Sequence, residues 1–141
     1  MKQNATLRLR ITHLLDGDSQ TSRYDYEAYG IKKTDSWLFT YKEEMDEGLH
    51  VQTVLKLTDE EISLLRQGGI QMNQRFTQGV RTQGVYRSPY GPMRMETHTS
   101  HVQVDWEQER PVQVAVGYQL WLNEQETGEY MLEVAIHWHE K

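Results

Sequence analysis

Arg66 is the residue with the most chemistry to offer. Read as a strand, residues 61–66 put it in phase with Ile62 and Leu64, so its guanidinium points inward. A guanidinium in an apolar interior is costly unless paired. Its fork could take the carboxylate of a ligand, or it could plug one end of the fold, stacked on a ring and bonded to backbone carbonyls. Trp37, Phe39 and Tyr41 share one face and, with Tyr24 and Tyr26, supply an aromatic wall. Phe76, Tyr86 and Tyr90 complete the candidate ligand-lining set. Thr53, Gln74, Thr97 and Thr99 also fall on the inward phase. A dry core must pair each such group, whereas an interior that holds water or ligand can keep them. The same aromatics could equally fill the interior, and both readings stay open.

Other reactive residues point to surface chemistry. His137 and His139 are two apart on one strand face, and His98 and His101 are three apart across an expected turn. Two imidazoles on one face could share an ion, but zinc usually takes a third protein ligand. His137 and His139 oppose the Val134, Ile136 and Trp138 face, so solvent is their expected setting. Asp105, Glu107 and Glu109 share an outward face, and the run from Glu43 to Glu47 reads as a solvated acidic loop. There are no cysteines, hence no disulfide, thiol nucleophile or thiolate metal site. No nucleophile elbow, P-loop or zinc-protease signature occurs, and no cofactor is implied. With 15 Lys+Arg against 21 Asp+Glu the net charge is −6, which argues against gripping nucleic acid.

These side chains must be held by strands. The 141 residues contain 4 Trp, 8 Tyr and 2 Phe, with β-branched residues common and only four alanines, a β-rich alphabet. Alternation is nearly continuous: Leu7, Leu9 and Ile11; Tyr24, Tyr26 and Ala28; Val51, Thr53, Leu55 and Leu57; then the long pair Val112–Leu122 and Tyr130–Trp138. Tyr29-Gly30 reads as a bulge or bend. Residues 58–66 are ambiguous. Thr58 with Glu61 fits a helix capping box, but a tight turn followed by a strand suits the surroundings better. About ten strands result, nearly all antiparallel, in one domain spanning residues 1–141. Closure removes sheet edges, so a single up-and-down barrel of about 8–10 strands is expected, with a two-sheet sandwich as the alternative. No stretch approaches the ~18 apolar residues of a membrane helix, and residues 1–15 lack the apolar run of an export signal. The cytoplasm is the expected location.

Three blocks, Arg66-Gln67-Gly68, Phe76-Thr77-Gln78-Gly79 and Tyr86-Arg87-Ser88-Pro89-Tyr90-Gly91, resemble those of a small bacterial family of unknown function, the YwiB-like proteins. The resemblance extends over nearly the whole chain. One departure is Ser88, where the family pattern has Thr, and the hydroxyl is kept. The resemblance implies a calycin-like barrel, the architecture of lipocalins and fatty-acid-binding proteins, and a cytoplasmic bacterial setting. It implies no activity. Two functions therefore stand side by side: a barrel that binds a small apolar or amphipathic ligand, and a filled barrel acting as an interaction or structural module, a homodimer being one form. An enzyme is the third and weakest reading, because no motif supports it.

Overall fold

The computed structural model describes residues 2–45 and 48–140. Ten strands follow in order: β1 (Lys2–Leu15), β2 (Asp18–Lys32), β3 (Ser36–Met45), β4 (Leu49–Thr58), β5 (Ile62–Gly68), β6 (Gln71–Phe76), β7 (Arg81–Ser88), β8 (Gly91–Glu107), β9 (Arg110–Leu122) and β10 (Gln125–Trp138). Each pairs antiparallel with its neighbours in sequence, and β1 closes on β10, so the sheet is an up-and-down barrel. Every strand thus has two partners, although β6 and β7 pair only through Gln71–Arg87 and Met72–Tyr86 at the upper end. The upper end carries the β1–β2, β5–β6, β7–β8 and β9–β10 turns. The lower end carries the β2–β3, β4–β5, β6–β7 and β8–β9 turns.

Three hairpins turn on two residues with positive φ: Asp16-Gly17, Gln108-Glu109 and Asn123-Glu124. This is the turn geometry whose twist matches that of the flanking strands. Residues 58–66 are a turn and a strand. The Thr58 hydroxyl accepts from the Glu61 amide at 3.0 Å and donates to the Glu61 carbonyl at 3.0 Å. The hydroxyl that could have capped a helix closes a turn instead.

Three local expectations are corrected. Met93–Thr99 and Val102–Trp106 are one strand, β8, with a register shift between Thr99 and His101, so no turn separates His98 from His101. Glu43 lies on β3, not in a loop, and Asp46 and Glu47 of that acidic run lie outside the described residues. Gly30 is no bulge, because β2 keeps register with both neighbours through it. It holds the inward phase after Tyr26 and Ala28, and the missing side chain makes room for rings. A Cβ there would come within 2.9 Å of both Phe39 Cε1 and Trp138 Cη2. Gly30→Ala should therefore destabilise by about 1–3 kcal/mol, read from urea unfolding. A loss below the error of that measurement would mean the rings yield freely.

The core is one continuous interior. Leu7, Phe39, Leu55, Phe76, Val114, Val116 and Val134 are fully buried. In the lower half, Trp37 and Phe39 pack against Trp138 at centroid distances of 5.3 and 5.5 Å. The Trp138 indole N–H donates to the Pro111 carbonyl at 2.9 Å, and the Arg110 guanidinium lies 4.9 Å from its ring centroid. That half is packed with rings.

Candidate functional site

The upper half is different. Continuing the alternation of Trp37, Phe39 and Tyr41 by one step brings Glu43 to the inward face of β3, where it is 6% exposed. On β4 the same phase places Thr53, and Thr53 pairs in register with Arg66 on β5. The three meet. Arg66 Nε donates to Glu43 Oε1 at 3.1 Å and Nη2 to Oε2 at 3.5 Å. The Thr53 hydroxyl donates to Oε1 at 2.5 Å. The side chains of this ion pair are only 19% and 8% exposed.

The polar groups continue around the wall. Gln74 on β6 lies opposite Leu64 and donates its amide N–H to the Thr97 hydroxyl of β8 at 3.1 Å. Thr99, two residues on, is opposite Tyr118 of β9, and Tyr118 is opposite Tyr130 of β10. Rings then bridge the barrel. Phe76 meets Tyr118 at 4.8 Å, Tyr118 meets Tyr130 at 5.2 Å, and Tyr130 stacks on His13 at 4.4 Å. On the other side Tyr41 meets Tyr26 at 5.0 Å. Glu43, Thr53, Arg66, Gln74, Thr99 and Tyr118 thus form a polar belt inside an otherwise apolar barrel.

The belt holds its phenols neutral. Burial pushes Tyr26 up to about 12, helped by the negative charge of Glu43. Tyr41 rises further, first through burial and then through Glu43, which outweighs Arg66. Tyr118 is raised chiefly by burial. Among the described residues, neither the Tyr41 nor the Tyr118 hydroxyl has a hydrogen-bond partner in the protein, and the buried Thr99 hydroxyl has none either. The guanidinium has five N–H groups. Two go to Glu43, which leaves three.

A family model for a domain of unknown function, DUF1934, matches residues 8–134. The chain belongs to the DUF1934 family. It is 26% identical over 129 residues, 89% of each chain, to the uncharacterized beta-barrel protein YwiB of Bacillus subtilis (strain 168). The crystal structure of the ywiB protein from Bacillus subtilis superposes with a TM-score of 0.87 at 22% identity, covering 99% of this chain and 94% of that one. The closed antiparallel barrel is therefore shared, as the sequence motifs implied. Neither description names a reaction or a ligand.

The DUF1934 barrel separates the residues expected to line a ligand. Arg66 and Tyr41 lie in the belt. Phe76 reaches it through Tyr118. Tyr86, opposite Met72 and Met93, is partly buried near the upper end. Trp37 and Phe39 belong to the packed lower half. Tyr90 lies apart from the belt, 86% exposed on the β7–β8 turn. Arg66 neither stacks on a ring nor bonds to carbonyls, and its partner is Glu43. Sequence reasoning missed Glu43 and Tyr118. The two-residue phase pointed to Glu43, but its acidic neighbours read as solvated. The chain pattern placed Tyr118 inward without marking it among so many rings.

The remaining candidates stay outside. Asp105, Glu107 and Glu109 are exposed. His137 is exposed, and His139 Nε2 lies 2.6 Å from the Thr6 hydroxyl. Among the described residues no three His, Asp or Glu side chains converge as metal ligands. A surface groove of about 210 Å³ at the lower end is bordered by Lys32, Lys33, Trp106 and Glu109, well away from the belt. No helix of the described residues is long and apolar enough to cross a membrane.

Proposed function

We propose that this barrel binds one small amphipathic molecule in its upper half, with the polar head against the Arg66–Glu43 belt and the apolar body among Tyr26, Tyr86, Leu120 and Leu122. The observation that carries this reading is the buried ion pair itself. A charge pair inside a barrel is usually no more stable than apolar residues of the same volume, so fold stability alone gives little reason for it. Binding does, because buried polar groups fix a ligand's orientation. The partly exposed rings around it are consistent with access from the upper end.

The competing reading is a filled barrel that works through its surface as an interaction module. The fully buried Phe39 and Phe76 favour it. Native mass spectrometry of gently purified protein separates the two. The expected result is a species heavier than the chain that releases one small molecule on denaturation. A bare chain mass, as monomer or dimer, would overturn the binding reading in favour of the module.

A further inference from the structure

Unpaired donors and net charge together say what kind of head the belt takes. Arg66 keeps three N–H groups that can only donate. The Tyr41, Tyr118 and Thr99 hydroxyls, which can donate to such an acceptor, have no protein partners. Both Glu43 oxygens are already engaged, by Arg66 and Thr53. The remaining Arg66 N–H groups can only donate, so an occupant held by them must bring an acceptor. Its charge is a separate matter. The guanidinium that would attract an anion is neutralised by Glu43, 3.1 Å away. A second carboxylate would be desolvated beside the first without a cation of its own, an arrangement in which two anions resist sharing one site.

We infer that the occupant is uncharged and presents a carbonyl oxygen, as an amide, ester or ketone, to Arg66, Tyr41, Tyr118 and Thr99. This rests on the ligand-binding reading above. The upward-shifted pKa values of Tyr26 and Tyr41 support it as well. At both phenols the negative field of Glu43 outweighs the positive field of Arg66, so the interior resists a new negative charge. Thr99 is the most informative of the four. Its hydroxyl is buried, unpaired and opposite Tyr118, so it has a polar atom to offer and no structural role that uses it.

Three probes of one shape give the test: 4-phenylbutanamide, 4-phenylbutyrate at neutral pH, and butylbenzene, each titrated into the full chain by calorimetry. The amide should bind one per chain, about tenfold more tightly than either other probe, since two or three added hydrogen bonds are worth that order. Thr99→Val removes one donor with almost no change in shape. Because that hydroxyl is unpaired, the variant should unfold at the same or a higher temperature. Amide affinity should fall several-fold while butylbenzene is unaffected, and Tyr118→Phe should act in the same way. If the carboxylate binds as tightly as the amide, or Thr99→Val leaves the preference intact, the inference about the head falls and the binding reading stands. If butylbenzene alone binds, the inference about the head falls, and of the binding reading only an apolar site in the barrel survives, without the polar head on the belt. If none of the three binds, both fall together.

Discussion

Replacing Glu43 by Leu should cost about 3–5 kcal/mol of folding free energy, because it leaves the Arg66 guanidinium buried without its partner. Glu43 is 6% exposed and accepts from both Arg66 and Thr53, so two donors lose their acceptor at once. A domain of this size has a total stability of roughly 5–15 kcal/mol, so the variant should sit close to unfolding at room temperature. The double variant Glu43→Leu/Arg66→Met tests the cause. With both charges gone and apolar volume restored, stability should return to within about 1 kcal/mol of the parent or exceed it. Urea midpoints with an unchanged slope would give both values. A single variant that loses less than about 1 kcal/mol would show that Arg66 swings to water, and the belt would then be no fixed site. The double variant also separates fold from function: it should remain a barrel and lose the belt's hold on a polar head.

The barrel was largely legible in the sequence because strand alternation is a local signal. Leu7, Leu9 and Ile11, or Val112 to Leu122, declare an inward face without reference to anything else. Closure followed from the number of strands and the length of the turns. Arg66, Thr53, Gln74, Thr97 and Thr99 were placed inward by the same rule, and all of them line the interior. Partnership is what the sequence concealed. Glu43 and Arg66 are 23 residues apart, and their meeting depends on which strands neighbour each other and in what register. Composition worked against Glu43 as well, since the acidic residues after it suggested a loop while β3 runs on to Met45. Gly30 misled in the opposite sense. Its missing side chain looked like a break in the strand, but it is a space filled by the ring of its cross-strand partner Phe39 and by Trp138. Tyr90, one of the aromatic residues of the candidate set, stands in solvent at a turn, a placement its residue type does not reveal.

The barrel should also be unusually sensitive to alkali. A phenol whose value is raised in the folded state favours folding while both states are protonated, below about pH 10. Above that, the unfolded chain releases the protons of Tyr41 and Tyr118 while the folded chain keeps them. The unfolded state then binds fewer protons, and stability falls with rising pH by about 1.4 kcal/mol per unit for each group. Both are raised above the ordinary range, principally by burial, so the loss should run at roughly 3 kcal/mol per unit for the pair across the window above pH 10. Tyr26, raised to about 12, pulls in the same direction but less, because its ring is partly exposed. The measurement is the urea midpoint against pH, together with the tyrosinate absorbance. The late-titrating tyrosines should ionise in the same step in which the strand signal is lost. Tyr41→Phe/Tyr118→Phe should flatten the slope at little cost near neutral pH, since neither hydroxyl has a protein partner to lose. If all the phenols ionise near pH 10 with the barrel intact, the belt is open to water. Its unpaired donors would then be solvated groups at a wet mouth, with no bias toward a ligand's carbonyl.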